Sequence, residues 1–238
     1  MENLENLKQT YTDFHRKNQS KHLYPTEWVI RTMLGNYPGL KLDRSKYPGG
    51  KILDLGFGDG RNMGMLNNCG LDIYGVEIAQ ETLDIAEDAL SKAGIKATLK
   101  IGGNANIPFE DNFFDYILAS SASYYVDGHN TFTDNLNEIT RVLKPGGFFI
   151  SNFPAFTDIK EIPQCFILDN AVPLPGGHVI IQNDIHGIRN GYKFRPFKSK
   201  EEIEEVFSDK YEDISVGYCF DNYYGVQINV YIMTAKKK

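Results

Sequence analysis

Residues 51–62, KILDLGFGDGRN, decide how the rest of the chain is read. Ile52, Leu53 and Leu55 form a short apolar run interleaved with Asp54, as in a buried strand. Glycines at 56, 58 and 60 make a tight turn, and Arg61 and Asn62 open a run compatible with a helix, NMGMLNNCG. A glycine loop between a strand and a helix N-terminus brings backbone N–H groups close to a ligand, because no Cβ holds it off. The dinucleotide fingerprint is G-x-G-x-x-G. Here the third glycine arrives one position early, and Arg61 stands where that fingerprint wants glycine. Asp54 and Asp59 would repel a pyrophosphate, and no Lys-Ser/Thr pair follows as in a P-loop. The loop suits a ligand that carries positive charge.

The pattern D-x-G-x-G-x-G after an apolar strand, here Asp54 to Gly60, resembles motif I of the class I S-adenosylmethionine (SAM)-dependent methyltransferases. SAM carries an ammonium and a sulfonium and no phosphate, which agrees with the charge of the loop. Three further stretches resemble the same family in order and spacing. LDIYGVEIA reads as a strand ending at Glu77, about 20 residues past Gly56, where such βαβ units place the acid for a ribose hydroxyl pair. IPFEDNFFDYILAS, residues 107–120, resembles the stretch in which a Phe-Asp pair opens the fourth strand. RVLKPGGFFISNFP, residues 141–154, resembles the family's helix end, Pro-Gly-Gly turn and fifth strand.

The resemblance implies an α/β fold: a Rossmann-like, doubly wound, seven-stranded sheet, mostly parallel with a terminal antiparallel strand. Around that core (49–154, SAM-binding) the chain's own patterns read as a helical N-terminal extension or lid (1–48), an inserted β-element or lid over the substrate side (155–198), and a helix and hairpin completing the core (199–238). For cofactor contacts the resemblance implies Asp54, Gly56, Phe57, Gly58 and Gly60 in the loop, and Glu77 with Ile78 at the ribose. Asn104 and Ala105 fall near the adenine. The family often has Gly-Asp-Ala where this chain has Gly103-Asn104-Ala105, and Asn still accepts a hydrogen bond through its amide oxygen. The fourth strand ends at Ala119-Ser120-Ser121, the edge that in this family faces sulfonium and substrate, so Ser120 or Ser121 is a further expected cofactor contact. Tyr124 and Tyr125 replace the Leu-His-His often found there, so the acceptor side is expected to be phenolic. Asp115 is expected to tie the strand rather than to react. No Asn-Pro-Pro-Tyr follows the fourth strand; NFPA at 152–155 comes after the fifth, the wrong place for that motif.

Elsewhere the signals are local. Leu4, Leu7, Tyr11 and Phe14 form one apolar face of an N-terminal helix, which must be buried on the body or on a second copy of the chain. A homodimer and a lid are therefore both open. A second helix runs from Pro25 to Leu34 and carries Arg31, a candidate for the methionyl carboxylate or an acidic substrate. Candidate general bases are His15, Tyr124 and His129; His178 and His186 on the inserted element reach the site only if that element folds over it.

The chain has 238 residues, 42% hydrophobic and 24% charged, with a net charge of −6. That balance disfavours a large phosphate-binding footprint, so nucleic acid is not an expected partner. Cysteines at 69, 165 and 219 have no metal-ligand spacing, and no metal is expected. No stretch approaches the roughly 18 apolar residues of a membrane span, and a cytoplasmic placement is simplest. The expected activity is methyl transfer from SAM to a small polar metabolite, such as a sugar or nucleotide-sugar of surface-polysaccharide synthesis. An aminopropyltransferase-like enzyme and a non-catalytic SAM-fold subunit are the alternatives.

Overall fold

The computed structural model describes residues 9, 10, 12, 13, 16, 23–156 and 164–238. The N-terminal apolar face at Leu4, Leu7, Tyr11 and Phe14, and the candidate base His15, lie outside the described residues.

Helix α1 (Glu27–Leu34) precedes the sheet and buries Trp28, Val29 and Met33. Strand β1 (Lys51–Leu55) leads through the glycine loop to α2 (Met63–Asn68), then β2 (Asp72–Glu77), α3 (Gln80–Lys92) and β3 (Ala97–Ile101). Strand β4 (Phe114–Ala119) is buried along its whole length. A two-residue strand, β5 (Tyr125–Val126), precedes α4 (Phe132–Val142), which opens with a capping box: Thr131 and Asp134 accept each other's backbone N–H groups. Strand β6 (Leu143–Pro154) follows at once. Leu143 pairs with Phe114 and Phe148 with Tyr116, so Lys144 to Gly147 bulge out of the ladder, with Gly146 at φ +73°.

The strands form one seven-stranded sheet in the order β10-β11-β6-β4-β1-β2-β3. Pairings from β3 through β6 are parallel; β11 (Val226–Lys237) runs antiparallel to both β6 and β10 (Tyr211–Tyr223). This is the Rossmann-like sheet expected from the motifs, with its antiparallel strand at the end of the chain. Alternate residues of the central strands feed two cores. Leu53, Leu55, Ile117 and Ala119 pack on one face; Ile52, Tyr116 and Leu118 pack on the other with Trp28 and Leu83. Asp115 accepts from the Lys51 N–H at 3.1 Å and from Lys144 Nζ at 2.8 Å, so it ties β4 to its neighbours.

The segment after β6 supplies β7 (Val172–Pro173), β8 (Val179–Ile180) and β9 (Lys193–Phe194). With β5 they form a second sheet, ordered β5-β9-β8-β7, so the insertion is stitched to the core at Tyr125 and Val126. Phe197 follows it and packs with Phe132, Phe153 and Phe207, ring centroids 4.8–6.3 Å apart; Phe207 ends α5 (Lys200–Phe207). Beyond its pairing with β6, the β10–β11 hairpin projects as a two-stranded ribbon that turns at Tyr224 and Gly225, both at positive φ.

Candidate active site

The C-terminal ends of β1, β2, β4 and β6 open into one cavity of about 920 Å³. It lies where the strand order reverses between β1 and β4, the place at which open α/β sheets bind ligands. Glycine shapes its floor. Gly56 has φ +68°, and a Cβ there would stand 2.5 Å from the Cβ of Ala122. Gly58 donates its N–H to Glu77 Oε2 at 3.0 Å, and Ile78 donates its own to Oε1 at 2.8 Å. The carboxylate is thus held across the end of β2, each oxygen keeping a lone pair for another donor. Burial pushes the Glu77 carboxyl up, and the two N–H donors pull it back.

Asp54 is fully buried at the end of β1, and neither of its oxygens has a hydrogen-bond partner among the described residues. Burial, then the charges of Glu77 and Asp59, push it up to about 8. The loop's second carboxylate is already matched: Asp59 pairs with Arg61 at 2.8 Å. Asn104 gives its side-chain N–H groups to the carbonyls of Ala122 and Tyr125, both at 2.9 Å, which leaves Oδ1 as its acceptor. Past the end of β4, Ser121 adopts φ +57°, rare for a residue with a Cβ. Asn152 on β6 secures it, accepting the Ser121 N–H at 2.7 Å and donating to its hydroxyl at 3.3 Å.

The opposite wall is aromatic. Tyr124 and Tyr125 stack at 5.1 Å, and Tyr192 meets Tyr125 edge-on at 5.4 Å. The short turn Phe166–Leu168 between β6 and β7 adds Phe166 and Ile167 with the preceding Cys165, and the projecting hairpin adds Tyr218, Phe220, Tyr223, Val226, Ile228 and Val230. His186 and Arg189 reach the cavity from the loop between β8 and β9.

Among the cofactor residues expected from sequence, Arg31, Gly56, Phe57, Gly58, Glu77, Ile78, Asn104 and Ser120 border this cavity, with Asp54 close behind the loop. Gly60 does not border it: it turns the chain beside Ala86 and Leu90. Ala105 sits in the tight turn bridged by Gly103 and Asn106, also away from the cavity. Arg31 is at the rim, exposed and tied to Glu27 at 2.8 Å one helical turn away. His129, a candidate base from sequence, is exposed in the turn after β5 and does not border the cavity. Tyr124 does border it, but burial raises its phenol well above the ordinary range, which makes it a hydrogen-bond donor and a poor base. His178 caps α4 instead, accepting the Phe132 N–H at 3.3 Å. Sequence reasoning missed Asn152, Phe166, Arg189, Tyr192 and the hairpin aromatics. Only Asn152 carried a signal, the NFPA stretch set aside as misplaced.

Known proteins agree with this geometry. The family model described as "Methyltransferase domain" matches residues 53–151, from β1 to β6. An uncharacterized methyltransferase of Mycobacterium tuberculosis is 36% identical over 98 residues, 41% of this chain and 37% of that protein. A sterol 4-C-methyltransferase of Caenorhabditis elegans is 27% identical over 71% of this chain and 50% of its own length. The match thus spans half or less of each of these relatives. A solved SAM-dependent methyltransferase from Methanosarcina mazei superposes with a TM-score of 0.59 at 20% identity, covering 85% of this chain and 98% of that one; a likeness this remote speaks for the fold alone. The glycine loop, the clamped Glu77 and the reversal of strand order all lie at one cavity, and residues 53–151, which supply them, match the methyltransferase domain.

Proposed function

We propose that the chain transfers the methyl group of SAM to a small-molecule acceptor with a large apolar body. The observation that carries this reading is a single cavity with two unlike walls: a glycine-and-carboxylate wall at the strand ends, and an aromatic wall from the insertion and the hairpin. Its volume of about 920 Å³ is at the upper end of the ~300–1,000 Å³ of ligand sites, enough for a cofactor beside a second molecule.

The residues of the first wall fit SAM. A Cβ at Gly56 would fill the cradle, and the orphaned carboxyl of Asp54 suits a cation. Glu77 would hold the ribose hydroxyls, Asn104 Oδ1 the adenine amino group, and the Asp54 carboxylate the positive methionyl end. When bound, SAM supplies a methyl group already activated on a sulfonium. The chain's own residues then align the acceptor and keep water out. Asn152 fixes Ser121, and Tyr124 orients the acceptor as a donor from beneath the aromatic wall.

A sugar or nucleotide-sugar acceptor is less well served. It would need a dense set of side-chain hydrogen bonders, whereas Val226, Ile228, Val230 and Ile232 line the hairpin side. Titration calorimetry with SAM, S-adenosylhomocysteine and NAD tests the cofactor side: micromolar binding of the first two and none of NAD is expected. Turnover with apolar phenols and with sugars, scored by the nucleoside product, tests the rest. S-adenosylhomocysteine supports methyl transfer, methylthioadenosine would indicate an aminopropyltransferase, and neither product with any acceptor would favour a binding subunit.

A further inference from the structure

We propose that Arg189 holds an oxyanion of the acceptor, so that the acceptor is an acidic hydroxyl compound, a phenol or enol joined to an apolar body. This rests on the methyl-transfer reading above and names the chemistry of its second substrate.

The loop between β8 and β9 is folded around one carboxylate. The Asp184 side chain is fully buried, accepts the N–H groups of Ile188 at 3.0 Å and Arg189 at 3.2 Å, and pairs with the Arg189 guanidinium at 3.0 Å. Asn190 Oδ1 accepts the Asp184 N–H at 2.8 Å and closes the loop. Both the backbone and the head of Arg189 are therefore fixed. Its side chain is 18% exposed, borders the cavity, and places Cζ 5.8 Å from the centre of the Phe166 ring. A desolvated ion pair stabilises a loop no better than apolar side chains of the same volume would, so packing alone does not account for it.

The other charged groups that border the cavity are engaged with neighbours of their own: Arg31 pairs with Glu27 and Arg61 with Asp59, each at 2.8 Å. Asp127 acts on Glu77 and Tyr192, toward the cofactor wall. Asp221 receives the Cys219 thiol at 2.8 Å on the hairpin. His186 lies edge-on to Phe166 in the exposed part of the loop. The charge of Arg189 acts on Tyr124 and Cys165, beside the end of β4. Tyr124 is a poor base and His129 does not border the cavity, so a cation that favours the ionised acceptor supplies the nucleophile by another route. In that route the acceptor O–H gives its proton to solvent. A lone pair of the oxyanion forms the new O–CH3 bond as the S–CH3 bond breaks, and the bonding pair stays on sulfur. An anion and a sulfonium become two neutral products.

The probe is 4-nitrophenol, whose phenolate absorbs in the visible, added to protein saturated with S-adenosylhomocysteine at fixed pH. The expected result is about a tenfold rise in the ionised-to-neutral ratio of bound probe. Arg189→Met should abolish that rise with the affinity for S-adenosylhomocysteine unchanged, at the cost of a lower thermal midpoint because Asp184 is left buried without its partner, and Arg189→Lys, which keeps the charge, should retain most of the rise. The absence of extra phenolate with S-adenosylhomocysteine bound, an undiminished rise in Arg189→Met, or its loss in Arg189→Lys would each overturn the proposal. Failure of S-adenosylhomocysteine itself to bind would instead overturn the cofactor reading.

Discussion

Around Glu77 the cavity is walled by main chain: Gly58 and Ile78 give their N–H groups, and Gly56 leaves room because it has no side chain. Around Tyr125 it is walled by rings that come from β5, from the insertion and from the hairpin. The two walls follow different rules. A wall made of backbone needs particular residues at fixed spacings within one strand–loop–helix unit, because only glycine tolerates the turn and the contact. A wall made of rings needs only bulk from any segment that arrives there. The first is little free to change, and the second is where the proposed acceptor would be selected.

The largest expected effect breaks the idea that these walls belong to separate bodies. Phe197 lies in the insertion and its side chain is fully buried against Phe153 and Phe132 of the core. Its N–H also donates to the Pro154 carbonyl, at 3.2 Å. Phe197→Ala should destabilise the protein by about 3–5 kcal/mol, the cost of emptying a large aromatic site. Trp28, the single tryptophan, reports from the core on the other face of the sheet. A denaturant melt followed by its fluorescence should show the full loss in one transition; an unchanged midpoint would mean the insertion folds as an independent flap.

Next in size is Glu77→Ala. It removes the acceptor for two backbone N–H groups and, on the proposed reading, for the ribose, at about 1.5–3 kcal/mol for hydrogen bonds to a charged group. SAM affinity by calorimetry should fall about 10- to 100-fold with the circular dichroism unchanged. Acceptor binding to the aromatic wall should barely move, and equal losses on both sides would erase the distinction between the walls.

That distinction also sets how far the sequence could be read. Asp54, Gly56, Gly58 and Glu77 are near neighbours in the chain as well as in space, so their spacing carried the fold, the cofactor class and the cavity. Gly60 obeyed the same pattern for a purely local reason, turning the chain against α3, and the pattern alone could not separate the two roles. Arg189, Tyr192 and Phe220 meet only because the insertion and the hairpin fold over the sheet, and no spacing encodes that. His129 misled for the converse reason: it is close in sequence to Tyr124, but the turn after β5 carries it out into solvent.

A smaller effect concerns pH. In the free protein Asp54 is pushed up to about 8, first by burial and then by Glu77 and Asp59. Its contribution to stability is fully present below the ordinary carboxyl value of 3.8 and is lost as the pH rises through about 8. A cationic cofactor reverses that preference, since it favours the ionised carboxylate. SAM binding should therefore release a proton between about pH 6 and 8 and strengthen by up to about tenfold per unit, then level off. Calorimetry in buffers of different ionisation enthalpy measures the proton directly. Asp54→Asn should bind more weakly with a flat pH profile, and a slope that survives in it would assign the proton to another group.

The smallest expected effect belongs to the far end of the aromatic wall. Phe220 borders the cavity from the projecting ribbon, yet half of its surface still meets solvent. It contributes little to the core, so Phe220→Ser should leave the melting midpoint nearly unchanged. An apolar acceptor that covers the remaining ring surface would lose about 1 kcal/mol on the same substitution, about a fivefold rise in KM. SAM affinity should be untouched, because the Gly58–Glu77 clamp lies at the ends of β1 and β2 and the ribbon is at the opposite edge of the sheet. A KM that rises for apolar phenols and stays constant for polar acceptors would place acceptor selection on the hairpin. A fall in kcat at constant KM would mean instead that the ribbon closes the site during turnover, and the ring-built wall would also have a catalytic duty.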